Sequence, residues 1–84
     1  MSIGQLHIRI ISPTGMLYEG DIHHVTFPGE LGDFSVYPLH APIISALRKG
    51  VIIYYKTADD KQSVEIQSGF AEVKDNLITA CIEE

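Results

Sequence analysis

The chain has a single cysteine, Cys81, among its 84 residues, so no intrachain disulfide can form. Domains this small usually depend on such staples outside the cell, and their absence points to a reducing compartment. Basic residues are scarce too. Six Lys and Arg stand against eleven Asp and Glu, a net charge of -5. That balance argues against a nucleic-acid binder and against a protein held on anionic lipid by charge alone. Long apolar runs are missing. The longest, residues 41–47, is interrupted by Pro42 and Ser45 and falls far short of the roughly 20 residues of a spanning helix. The first residues lack a basic leader, and His7 and Arg9 break their apolar run, so they do not read as a signal peptide. No window carries a sustained i, i+3, i+4 apolar stripe, which excludes helices longer than a turn. No phosphate loop and no G-x-G-x-x-G fingerprint occurs; Gly29-Glu30-Leu31-Gly32 has two glycines but no following lysine.

What remains is a sequence of strands. With 45% apolar and 20% charged residues the composition is that of a folded domain, read as one unit over residues 1–84 with a thin core. Residues 5–10 alternate, with Leu6, Ile8 and Ile10 on one face and Gln5, His7 and Arg9 on the other. Ser12-Pro13-Thr14-Gly15 is a turn cluster. Residues 16–18 form a short strand, with Gly20-Asp21 expected to kink or bulge after it. Residues 22–27 read as one extended run, ended by Pro28-Gly29. Residues 34–37, 43–47 and 51–56 follow, the last two separated by Arg48-Lys49-Gly50, where glycine supplies any positive φ the turn needs. Residues 63–67 place Val64 and Ile66 inward, Gly69 opens a strand over 70–73, and Asp75-Asn76 makes a two-residue hairpin corner. Residues 77–82 are nearly all apolar and read as covered on both faces. The expected architecture is all-β: a small sandwich or flattened barrel of about 8–10 mostly antiparallel strands.

Few groups suggest chemistry. Cys81, inside that apolar strand, reads as a small buried hydrophobe rather than a nucleophile. His23, His24 and Glu30 suggest a metal-binding β-barrel, but successive strand side chains point to opposite faces, so both histidines reach one ion only if the backbone bulges. No metal site and no cofactor is expected. Glu30 and Asp33 read as solvated loop charge or as a contact to a basic partner.

The stretch GELGDFSVYPLHAPIISALRKGVI, residues 29–52, resembles the signature of the ε subunit of F-type ATP synthases, roughly G-E-[FL]-G-[IV]-[LY]-P-x-H-A-P followed by an apolar strand and a basic-Gly turn. Asp33 stands where Glu is usual, Ser35 where Gly is usual and Leu39 in place of a frequent Gly. Gln67-Ser68-Gly69-Phe70-Ala71-Glu72-Val73 resembles the family's S-G-G-x-x-E-V, and Asn76-Leu77-Ile78-Thr79-Ala80 its N-x-V-T-V strand. The resemblance runs from about residue 5 to 84. The family continues as a C-terminal helical hairpin and this sequence ends at Glu84. That implies a short form, the N-terminal β-sandwich alone, without the hairpin's route to ATP sensing or inhibition.

The resemblance implies a non-catalytic rotor part at the foot of the central stalk, binding the γ subunit and the c-ring and coupling proton-driven rotation to ATP synthesis. It would lie on the cytoplasmic face of a bacterial inner membrane, attached only through the complex. Glu30, Asp33, Phe34, Tyr37 and His40 are the residues it assigns to the c-ring contact, and Ser12, His40, Pro42 and Ser45 those facing γ. Pro28, Pro38 and Pro42 restrict the loop that carries most of them. Alternation places Phe34 with Val36 and Ser35 with Tyr37, without saying which pair fills the core. His40 has a second reading, a loop-stabilising hydrogen bond. Two other classes remain open: a stand-alone sandwich adaptor with another partner, and a small metal-dependent β-barrel enzyme.

Overall fold

The structure, a computed structural model, describes residues 5–84. Nine strands run in the order β1 (Leu6–Ser12), β2 (Gly15–Ile22), β3 (His24–Phe27), β4 (Phe34–Val36), β5 (Ile43–Leu47), β6 (Gly50–Tyr55), β7 (Lys61–Ile66), β8 (Ser68–Lys74) and β9 (Leu77–Glu83). They form a five-stranded sheet, β2-β1-β9-β8-β5, and a four-stranded sheet, β4-β3-β6-β7. The described residues contain no helix. Every ladder is antiparallel except β1 with β9, which lie parallel side by side. The sandwich expectation holds.

The core is the layer between the sheets, filled by alternate residues of each strand. Leu6, Ile8 and Ile10 of β1 meet Ile78, Ala80 and Ile82 of β9 and Ala71 and Val73 of β8 on one side. Val25, Phe27, Val36, Ile52, Tyr54 and Ile66 come from the other sheet. Burying each of the larger side chains stabilises the fold by about 1.5–3 kcal/mol. Tyr54 keeps a polar tip and stacks its ring on Tyr18 at 4.8 Å.

Asp75 and Asn76 both adopt positive φ, 54° and 62°, which is the two-residue hairpin geometry that matches strand twist. Four expectations need correction. β2 continues through Gly20 and Asp21, and the irregularity lies earlier in that strand: Ile10 pairs with Tyr18 and Ile11 with Met16, so Leu17 is the extra residue. The run 22–27 is not one strand. Ile22 and Val25 are both buried although three residues apart, so the alternation changes phase at His23. There the chain leaves the five-stranded sheet and enters the four-stranded one, and His23 N–H donates to the Tyr55 carbonyl at 2.7 Å. Gly50 does not have positive φ. It opens β6 where a Cβ would meet the Pro28 Cβ at 3.0 Å. Finally, β9 is covered on one face only: Ile78, Ala80 and Ile82 point in, while Leu77, Cys81 and Glu83 are exposed. Cys81 is therefore not a buried hydrophobe. Its apolar neighbours lie on the outside of the sheet, where composition alone mimics burial.

Candidate functional site

The loop that joins β3 to β5 through β4 begins as a clasp between the sheets. Pro28 and Gly29 are buried. Gly29 bridges to Leu47, Glu30 N–H donates to the Ala46 carbonyl at 3.0 Å, and Arg48 N–H donates to the Pro28 carbonyl at 2.9 Å. A tight turn follows, closed by Gly32 N–H to the Gly29 carbonyl at 3.1 Å. A Cβ on Gly29 would sit 2.6 Å from the Gly32 carbonyl oxygen, and Gly32 itself has φ of 135°, so the turn depends on both glycines. It leaves Glu30 and Leu31 at an exposed tip.

Beyond the tip the loop is pinned repeatedly. Arg48 Nη2 donates to Asp33 Oδ1 at 2.5 Å, with both side chains substantially exposed. Exposed pairs of this kind contribute about 0–1 kcal/mol, so the pair orients the loop more than it holds the fold. Phe34 is half-buried and packs on the core ring of Phe27, centroids 5.5 Å apart. Thr26 and Ser35 join their hydroxyls at 2.8 Å. Tyr37 is 51% exposed and stacks on His24, centroids 4.7 Å apart and nearly parallel. Leu39 takes φ of 68° and donates its N–H to Asn76 Oδ1 at 2.6 Å. His40 is half-buried, with Nδ1 placed 2.7 Å from the Ala41 carbonyl, and Pro42 is exposed.

Ser12 is buried in the β1–β2 turn. It accepts from Thr14 N–H at 3.3 Å, lies 3.0 Å from the Thr14 hydroxyl and donates to the Gly15 carbonyl at 3.3 Å. Ser45 is half-buried and donates to the Ala46 carbonyl at 3.1 Å. The structure brings Glu30, Asp33, Phe34 and Ser45 to one groove between the loop tip and β5, and Ser12 with Glu30 to a second groove beside it. It does not bring Tyr37 or His40 there. Tyr37 lines a separate depression with His23 and Lys56.

The second groove lies on a surface that local sequence reading missed. Register places Met16, Ile11, Cys81, Phe70 and Ala46 side by side across all five strands of the larger sheet, on its outer face. At the usual strand spacing this apolar row spans about 19 Å. Phe70 is 62% exposed, and Ile44, one row over on β5, is 73% exposed. Glu30 and Glu83 stand at the groove's margin. The signal was present in each strand as an apolar residue out of phase with the core set, but only the pairing makes a row of it.

Apart from Ile44, the row beside it is polar. His7 Nδ1 lies 3.0 Å from Asp21 Oδ1 and Nε2 3.2 Å from Glu19 Oε2, with Arg9 Nε 3.7 Å from the same Glu19 oxygen. Hydrogen bonds to Asp21 first and Glu19 second hold the His7 imidazole above its ordinary range. At the corner between the sheets, His23 and His24 place their Nδ1 atoms 2.8 Å apart. The alternation that would keep them apart is broken because the chain changes sheets there. Even so, no three His, Cys, Asp or Glu side chains among the described residues gather as a metal cluster.

Comparison with known proteins agrees with this architecture. The family described as "ATP synthase, Delta/Epsilon chain, beta-sandwich domain" matches residues 5–84. The ATP synthase epsilon chain of a Nitratiruptor species is 41% identical over 78 residues, which are 93% of this chain and 60% of that protein. The ATP synthase epsilon chain of a Sulfurovum species is 33% identical over 78 residues, 93% of this chain and 61% of that protein. The chain thus spans about three fifths of these relatives' length. Among solved structures, a chain of the Euglena gracilis mitochondrial ATP synthase (OSCP, F1 and c-ring) shares the fold with a TM-score of 0.89 at 18% identity, covering 96% of this chain and 52% of that one. A chain of the Tetrahymena thermophila mitochondrial ATP synthase central stalk and c-ring gives 0.81 at 10% identity, covering all of this chain and 67% of that one. A nine-stranded sandwich with the proline-restricted clasp loop, matched over residues 5–84, belongs to the ATP synthase delta/epsilon chain family as its β-sandwich domain.

Proposed function

We propose that this chain is a non-catalytic rotor subunit of an F-type ATP synthase, a sandwich unit over residues 1–84 that grips γ and rests on the c-ring. One observation carries the reading: an exposed apolar row crosses all five strands of one sheet, beside the loop tip that bears Glu30. Exposed apolar surface of this extent on a small domain marks a contact with another protein. The paired sheets behind it make a stiff block, as transmission of torque requires. The names of the relatives support the same reading.

In this reading the apolar row and the adjoining groove that holds Ser12 meet γ, with Ser45 contributing from the neighbouring groove at the loop tip and Pro42 and His40 from outside both grooves. Glu30 and Asp33 at the loop tip face basic and polar groups of the c-ring loops, where charge-assisted hydrogen bonds form. Asp33 does so while shared with Arg48. Tyr37 adds an exposed ring at the far end of the loop, whereas Phe34 contributes from its half-buried place beneath the tip. The subunit is peripheral to the cytoplasmic face of a bacterial inner membrane, held there through the complex, and carries no cofactor. Mixing the 84-residue chain with its own γ subunit tests this, by gel filtration and calorimetry. A stable one-to-one complex with submicromolar affinity is expected, and absence of any complex overturns the assignment of the apolar row.

A further inference from the structure

Leu31 is the most exposed large apolar side chain among the described residues, with a relative exposure of 105%. It leaves all of its surface in water. A single exposed leucine is ordinary on a protein surface, but the way this one is held is not. It occupies a central position of the turn that the Gly32 N–H closes on the Gly29 carbonyl. A Cβ on Gly29 would strike the Gly32 carbonyl oxygen at 2.6 Å and the Phe34 ring at 2.9 Å. Gly32 has φ of 135°, so glycine is needed at both ends of the turn. Beneath it, Phe34 packs on the buried ring of Phe27 in β3. The Glu30 N–H donates to the Ala46 carbonyl of β5, and the Arg48 N–H to the Pro28 carbonyl. The Arg48 guanidinium holds Asp33 on the far side of the turn. Leu31 is thus presented by a turn tied to both sheets.

We propose that Leu31 is the anchor of the loop-tip contact: it inserts into an apolar pocket of the partner, and Glu30 beside it meets a basic group on that pocket's rim. Three observations carry this. The turn is already fixed by its backbone bonds and glycines, so little ordering entropy remains to be lost on binding. None of the leucine is buried in the free chain, so its whole side chain is available to an interface. It is also not isolated. Phe34, Ile43, Ile44 and Ala46 line the groove at its foot, and Ile44 is 73% exposed. A wall that closes around Leu31 covers this groove too. The charges at the tip divide the work. Glu30 is exposed next to Leu31, whereas the Asp33 carboxylate is engaged by Arg48. Asp33 and Arg48 therefore act mainly as positioning residues, and Leu31 with Glu30 supplies the contact itself. The inference rests on the rotor reading, in which the partner at this tip is a polar loop of the c-ring.

The test measures affinity of the 84-residue chain for its own γ subunit alone and for the γ–c-ring complex in detergent. The native chain should bind the larger complex more tightly. Leu31→Ser should bind that complex about 10- to 150-fold more weakly, the equivalent of one fully buried leucine. Its affinity for γ alone and its melting temperature should not change, because the side chain touches neither γ nor the core. Leu31→Met, of similar volume, should recover most of the loss. Asp33→Asn releases Arg48 but keeps the backbone bonds of the turn, so it should weaken the same complex by no more than about fivefold. The proposal is overturned if Leu31→Ser keeps the native affinity for the γ–c-ring complex. It is overturned equally if Leu31→Ser loses as much against γ alone, or if Asp33→Asn costs more than Leu31→Ser. These results leave the rotor reading standing. A native chain that gains nothing from the c-ring defeats the c-ring half of that reading and the anchor with it, and a native chain that binds neither preparation defeats the rotor assignment as a whole.

Discussion

Phe70 gives the most direct test of the outer sheet face. It is 62% exposed and stands in the apolar row between Cys81 and Ala46. Fully burying a phenylalanine is worth about 1.5–3 kcal/mol, so covering the remaining three fifths of this one should contribute about 1–2 kcal/mol to an interface. Phe70→Ser should therefore weaken γ binding about 5- to 30-fold. The effect on the fold should be smaller. The covered two fifths of the ring stabilise the monomer by about 1 kcal/mol at most, which lowers Tm by no more than about 8 °C in a domain of this size. Calorimetric titration against γ, with a thermal melt of each variant, separates the two effects. If Phe70→Ser melts near the native temperature and binds γ within twofold of the native chain, the row is not the contact surface and its exposure marks nothing.

Other outcomes follow from the same structure. Phe27 is fully buried at the centre of the core, so Phe27→Ala should cost about 3–5 kcal/mol, a large share of what so small a domain has, read by urea unfolding. Reversing both Glu30 and Asp33 to Lys should lower ATP-driven proton pumping in the reassembled enzyme while strand content by circular dichroism is kept; unchanged pumping would count against the loop tip as a c-ring contact. His7 is held above its ordinary value by Asp21 and Glu19. The protonated form is thus favoured in the fold, so its stabilisation is complete below the unfolded value of about 6.5 and is lost as pH rises through the folded value. His7→Gln should flatten that part of the stability–pH curve, and an unaltered slope would show that the carboxylates do not act on the imidazole.

Much of this was readable along the chain, because strand alternation and turn chemistry are local. Leu6, Ile8 and Ile10 announce β1 by period two, and Asp75-Asn76 announces its corner because both residue types tolerate positive φ at small cost. The glycines and prolines of the clasp loop were visible in the same way. The site was less readable. Ser12 and Ser45, placed by resemblance toward γ, prove to be tied to neighbouring backbone, and Phe34 is half-filled into the core beside Phe27. The surface that stands out is built from Ile11, Phe70 and Cys81, far apart in sequence.

By itself the sequence determined an all-β chain, its turns, and the signature of its family, since each depends on residues within a few positions of one another. Tertiary structure decided which face of each strand is covered. Alternation defines two faces of β9 but is silent on which of them meets the opposite sheet, and an outer row of apolar residues then looks like a second core. The same holds for His23 and His24. Neighbours on a continuous strand would diverge, and only the passage of the chain from one sheet to the other at His23 brings their Nδ1 atoms within 2.8 Å of each other.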